Sequence, residues 1–141
     1  MRWSVKLVLL FFVSTTLAYA GSPRRSAQVY VPGKETDFYL AESGVGSWYG
    51  PGFVGKMMAN GQPYDPMRYT IAHKTIPLGE VVTIVNNRTR RAVVARVTDR
   101  GPYVNGRIAD MSYIAMQKLG LLEDGVGEIE IYRTADALAG R

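Results

Sequence analysis

The 141-residue sequence contains no cysteine. That excludes a disulfide framework, a thiol nucleophile and a lipidated N-terminal Cys. It contains a single histidine, His73. With no thiol beside it, neither a zinc site nor any other metal or cofactor is expected. The patterns Gly-x-Ser-x-Gly, Cys-x-x-Cys, Gly-x4-Gly-Lys-Ser/Thr and His-Glu-x-x-His are all missing. The sequence therefore offers no nucleophile elbow, phosphate loop or metalloprotease helix. Charge is not extreme either: 17 Lys+Arg against 12 Asp+Glu give a net +5. A mildly basic balance suits an anionic polymer such as a cell wall, but by itself it only keeps a chain soluble.

What is present begins with an export signal. Arg2 and Lys6 precede the apolar run Leu7–Leu17, which is too short for a comfortable membrane span. Ala18-Tyr19-Ala20 is a small-x-small cleavage site before Gly21. Residues 1–20 read as a secretory signal peptide in preference to an uncleaved anchor. The mature product is expected in the periplasm or outside the cell. It should not be a lipoprotein, should have no stable membrane insertion and should not partner nucleic acid. Residues 21–43 show no sustained period and read as an irregular leader, with a short strand near Gln28–Val31. Residues 44–134 read as one domain, and 135–141 as a frayed tail.

Within that domain the pattern is short strands between Gly and Pro turns. Gly46–Gly50 is an aromatic strand, and Asn60-Gly61 is a turn. Strands follow at Tyr69–His73, Glu80–Val85, Ala92–Thr98, Arg107–Asp110 and Gly127–Arg133. One helix is expected, capped by Ser112, buried through Met111, Ile114, Ala115 and Leu119, and stopped at Gly120. This composition predicts a mainly β fold, a small barrel.

Val93–Pro102 is the informative stretch. Val93, Ala95 and Val97 alternate onto one face, and continuing the alternation puts Asp99 on that same face at the strand's end. There it is either a general acid or a loop clamp bonding nearby backbone N–H groups, and spacing alone favours the clamp. His73 could orient a carboxylate, though a lone histidine more often just satisfies a hydrogen bond. Asp65 is either a cleft residue beside His73 or a turn residue before Pro66. Asp110 reads as part of the helix cap. Trp48, Tyr49, Tyr64 and Tyr103 adjoin Gly or Pro turns, where flat rings can stack on sugars; Trp48 also reads as core.

Five motifs in order carry a resemblance. They are Gly46–Gly50, Ala59–Asp65, Ala72–Gly79, Val97–Tyr103 and Gly106–Ser112, together spanning the predicted domain. The chain closely resembles the RlpA-like (rare lipoprotein A) family. The resemblance implies a six-stranded double-psi β-barrel with one or two short helices. It also implies a lytic transglycosylase that cuts peptidoglycan between N-acetylmuramic acid and N-acetylglucosamine, prefers strands stripped of stem peptides, and leaves 1,6-anhydro ends. Asp99 matches the family's acid, His73 a catalytic residue that tunes or orients the carboxyls, and Asp65 a residue supporting the cleft. Gln62, Asp65, Tyr64, Trp48, Tyr49, Arg100 and Tyr103 are the expected substrate contacts, and peptidoglycan strands the expected partner of a monomer. Two departures stand out. The family commonly has Glu where this chain has Gln62, and an amide cannot transfer a proton. Many relatives also carry a SPOR domain and a lipidated Cys, so septal targeting and anchoring are not carried over. The alternatives are an expansin-like module that binds wall glycans without cutting them, and a glycan hydrolase.

Overall fold

The structure, a computed structural model, describes residues 26–31 and 34–134. The expected signal peptide (1–20) and tail (135–141) lie outside the described residues, as do residues 21–25 and 32–33 of the leader. The elements in chain order are β1 (Ser26–Val31), β2 (Lys34–Trp48), a 3-10 turn (Pro51–Phe53), β3 (Thr70–His73), β4 (Val81–Asn86), β5 (Ala92–Asp99), β6 (Arg107–Met111), α1 (Tyr113–Leu119) and β7 (Val126–Thr134).

Six of the strands close on themselves in the order β2-β6-β3-β5-β4-β7, with β7 returning to β2. The β2–β6 and β3–β5 pairs are parallel and the remaining ring pairs antiparallel. Closure satisfies the ladder groups that an open sheet would leave at its edges. A six-stranded ring with one helix is the architecture implied by the family resemblance. β1 stands outside the ring and pairs with β2 alone, from Ser26↔Tyr39 to Val31↔Lys34.

The clearest difference from the sequence reading lies in β2. Residues 34–43 were expected to be irregular but extend the strand, and Phe38–Ser47 ladders along Val126–Thr134 of β7. The apolar/polar alternation is weak there because that half of the strand is held by two ladders, to β1 and β7, more than by a buried face. Gly46 permits the barrel to close. A Cβ at that position would lie 2.6 Å from Ile129 Cδ1 and 2.7 Å from Met111 Cε, so only glycine lets the strands approach.

The core fills the ring with Ile71, Val82, Ile84, Val97, Ala109, Met111, Ile129 and Ile131. Burying each Ile or Met contributes about 1.5–3 kcal/mol. α1 adds Ala115, Met116 and Leu119 to this core. Met116, and not the expected Ile114, joins Ala115 and Leu119 as a fully buried helical residue. Ser112 caps the helix, its Oγ accepting from Ala115 N, and Gly120 ends it in the left-handed conformation. Met111 ends β6 and is core, but it is not helical.

Candidate active site

Asp99 is not on the core face. The pairing of β5 with β3 runs Ile71↔Val97 and then Ala72↔Asp99, so Thr98 is an extra residue. A bulge of this kind reverses the alternation and re-aims the side chains beyond it. Val97 faces the core with Ile71, whereas Asp99 shares the opposite face with Ala72, which packs with Tyr49, Met58 and Tyr64 outside the main core. The bulge is held in place: Thr98 Oγ1 donates to Met58 Sδ at 3.3 Å, and its carbonyl accepts from Asn60 N at 3.0 Å.

Three donors then fix the Asp99 carboxylate. Oδ1 accepts from Ala59 N at 2.8 Å and Arg100 N at 2.9 Å, and Oδ2 accepts from Tyr49 Oη at 2.8 Å. Tyr49 is a permanent donor. Burial first, and the Asp99 bond second, hold its phenol far above the ordinary value. Its ring is wedged between Tyr64 (centroids 4.7 Å apart) and Phe53 (5.6 Å). Beyond Asp99 the chain turns at Gly101, whose φ of 115° is open only to glycine, and passes through a cis Gly101–Pro102 bond to Tyr103. Tyr103 is 81% exposed.

Asp110 joins the same face, which the sequence reading missed. It is not a helix cap. It pairs across from Ala72 on one side and Ser47 on the other, so Ser47, Asp110, Ala72 and Asp99 form one row across four strands. Ser47 Oγ donates to Asp110 Oδ1 and accepts from Arg107 Nη1 at 3.2 Å. The signal was available in the alternation of Ala109 and Met111, both buried, about Asp110.

His73 lies elsewhere. It pairs across from Ala109, a core residue, and so points to the barrel's interior side, away from the face of Asp99. Its Nδ1 accepts from the backbone N of Thr75 (3.2 Å) and Ile76 (3.1 Å), which leaves the proton on Nε2, 2.9 Å from Glu42 Oε2. Burial first, joined by the charges of Arg100 and Lys74, lowers the imidazole's proton affinity against the opposing pull of Glu42. The ring is thus a neutral donor to a carboxylate, and not half of an ion pair. Glu42 was also missed; a bulge between Leu40 and Glu42 sets it against His73, which no residue pattern signals. Arg100 links the two places. Its N bonds Asp99 while its Nη1 donates to the carbonyls of His73 (3.0 Å) and Ile76 (2.7 Å).

The other candidates divide. Gln62 is exposed, on a turn fastened beside Asp99 by Ala59 N and Asn60 N. Asp65 Oδ1 accepts from Met67 N, closing the turn around Pro66. Tyr64 is buried, with its hydroxyl accepting from Tyr113 N, and burial raises its proton affinity. Trp48 packs on the core, edge-on to Tyr113. Of the four aromatics, Tyr103 is the most exposed, and Tyr49 presents its hydroxyl to Asp99.

A family profile described as lytic transglycolase matches residues 41–131. The endolytic peptidoglycan transglycosylase RlpA of Pasteurella multocida is 44% identical over 98 residues, covering 70% of this chain and 33% of that one. The protein of the same name from Vibrio cholerae is 43% identical over 92 residues, covering 65% and 35%. That from Pseudomonas aeruginosa is 42% identical over 88 residues, covering 62% and 26%. The chain thus spans about a third or less of the length of these curated relatives. Among solved structures, Streptomyces papain inhibitor superposes with a TM-score of 0.52 at 22% identity, over 67% of this chain and 96% of that one. At that identity the likeness speaks for the fold alone.

Proposed function

The chain belongs to the lytic transglycolase family, the RlpA-like family of its five motifs, and on that premise we propose that it cuts peptidoglycan glycan strands with Asp99 as the acid. The observation that carries this reading is the Thr98 bulge, which moves a carboxylate from the core face to an outer face and fixes it with three donors. Oδ1 is occupied by two backbone N–H groups, so the working proton belongs on Oδ2. Asp99 gives that proton to the oxygen linking N-acetylmuramic acid to N-acetylglucosamine, and the C1–O bond breaks. The muramic acid's own C6 hydroxyl oxygen closes on C1. Its proton returns to Asp99, and no water is consumed. Tyr49 donates throughout and stabilises the carboxylate while it is charged.

The favoured substrate is strand lacking stem peptides, which leaves the glycan free to reach the half-buried Asp99, with the exposed ring of Tyr103 nearby in the chain. The protein acts as a monomer outside the cytoplasm. This setting follows from the export signal and from relatives named for peptidoglycan cleavage. Among the described residues, no helix is long and apolar enough to cross a membrane.

The second reading, a module that holds the glycan without cutting it, is favoured by the amide at Gln62 on the turn beside Asp99. Digestion of sacculi, with and without amidase removal of stem peptides, decides between them. Mass spectrometry showing 1,6-anhydro ends from the stripped glycan supports the lyase. Reducing ends would mean hydrolysis, and sedimentation with glycan without any product would mean the binding module.

A further inference from the structure

Behind the Arg100 turn lies a cavity of about 320 Å³ walled by Tyr39, Leu40, Glu42, His73, Thr75 and Ile76, with Arg133 at its side. Its volume falls at the small end of the ~300–1,000 Å³ typical of ligand pockets, room for one sugar ring. Its charges are already arranged. Arg133 is spent on a two-pronged pair with Glu80, and His73 is neutral. That leaves the Glu42 carboxylate, its side chain 44% exposed. One of its oxygens is held by His73 Nε2–H, and the other accepts no hydrogen bond among the described residues. A fixed acceptor of this kind, facing apolar walls from Leu40 and Ile76, suits a neutral ligand with one hydrogen-bond donor and one apolar face.

We infer that this cavity is a second glycan subsite that takes one N-acetylhexosamine ring, with Glu42 accepting from its amide N–H or a hydroxyl. The inference rests on the reading of the chain as a glycan-cleaving protein, and it gives His73 a task. His73 is a positioning residue: it fixes which Glu42 oxygen is free and does not touch the scissile bond. Arg100 ties the His73–Ile76 turn to Asp99, so a strand crossing that turn reaches the cavity with one sugar and Asp99 with a neighbouring bond. The exposed carboxylate is thus supplied from β2.

The test uses Glu42→Gln. The new amide gives its oxygen to His73 and presents NH2 where the ligand expects an acceptor. On stripped glycan strands, KM should rise at least 10-fold while kcat stays within about 3-fold. Thr75→Phe, which fills the rim and keeps the backbone bond to His73, should do the same. Adding a tetramer of N-acetylglucosamine to the Asp99→Asn protein should shift the His73 Nε2–H proton resonance, and Glu42→Gln should abolish that shift. An unmoved resonance, or unchanged KM in both cavity variants of an active protein, overturns the subsite and leaves the Asp99 reading standing. An inactive wild-type protein whose His73 resonance still shifts would overturn cleavage and keep the subsite.

Discussion

Asp99→Asn separates a working acid from a structural clamp, because the structure fixes what each role would lose. Asparagine keeps an oxygen at Oδ1, so the bonds from Ala59 N and Arg100 N survive. At Oδ2 the new NH2 faces Tyr49, whose hydroxyl can rotate from donating to accepting. The contact with Tyr49 survives with its direction reversed. What is lost is charge assistance in three bonds, each about twice as strong when the acceptor is ionised. With a net worth of about 1 kcal/mol per neutral bond, partial solvation of the half-buried carboxylate and recovery of the neutral bonds, the stability cost should be about 1–2 kcal/mol. For a domain of this size that is a fall in Tm of ~4–12 °C. Loss of the proton donor should lower kcat on stripped glycan by ~100- to 10,000-fold. Urea unfolding and anhydro-end release would be measured on the same preparation. A loss of activity under about 10-fold would refute the acid. A stability loss above about 4 kcal/mol, with activity falling only as the folded fraction falls, would make Asp99 a clamp.

Three further outcomes are expected. Tyr49→Phe keeps the ring packing with Tyr64 and Phe53 and removes one bond to a charged group, worth about 1.5–3 kcal/mol; kcat should fall ~10- to 100-fold with KM little changed, and an unchanged kcat would remove Tyr49 from the mechanism. Gly101→Ala adds a Cβ with no contact closer than 3.7 Å, so its cost is conformational, about 1–3 kcal/mol for an L residue at φ 115°; a cost below ~0.5 kcal/mol in urea titration would show that the turn relaxes freely. The His73 ring, whose proton affinity is lowered in the fold, is protonated in the unfolded chain near pH ~6.5 but only at lower pH when folded. Its contribution is therefore present above pH ~6.5 and is lost as pH falls towards the folded value, with a limiting slope of about 1.4 kcal/mol per pH unit. His73→Gln should be less stable than the wild type at pH 7 and should lack this part of the slope. Parallel pH profiles would contradict the assignment.

Much of the fold was legible because the barrel's strands carry local signals. Val93–Val97, Val81–Val85 and Gly127–Arg133 alternate or run β-branched between Gly and Pro turns, and each forms a strand near its expected limits. The first half of β2 was not legible: its partners are β1 and β7, and pairing with a strand some ninety residues away leaves no local mark. The site was legible in part. Motif position singled out Asp99, His73 and Gln62, but the two bulges decide what their neighbourhoods contain. One residue inserted at Thr98 reverses the face of Asp99, and one inserted at Ala41 sets Glu42 against His73. Alternation arguments assume an unbroken ladder, and each fails at the residue that matters most.

That failure also bears on the choice between clamp and acid, and favours the proposed acid more than the hydrogen bonds alone do. A clamp needs only donors, and Asp99 has three; it could have made them from the core face or from a loop. Placing the carboxylate on the outer face requires an extra strand residue, a Met–Thr contact and a bond from Asn60 to hold that residue, and a glycine at φ 115° just beyond. These features do little for the core, which is complete without them. They are explained if the carboxylate must meet something outside the barrel. The same reasoning applies to Glu42. His73 could satisfy its Nε2–H with a backbone carbonyl, and a carboxylate half open to a cavity is a poor choice if its task ends at the histidine. Both carboxylates sit where the ladder is broken, and Arg100 joins their surroundings, its backbone N bonding Asp99 and its guanidinium the carbonyls of His73 and Ile76. A long substrate that touches both would bind across Arg100. Arg100→Gln should then weaken cleavage of long strands more than cleavage of a short oligosaccharide. Equal losses on both would mean that the Arg100 guanidinium does not link the two places in substrate binding.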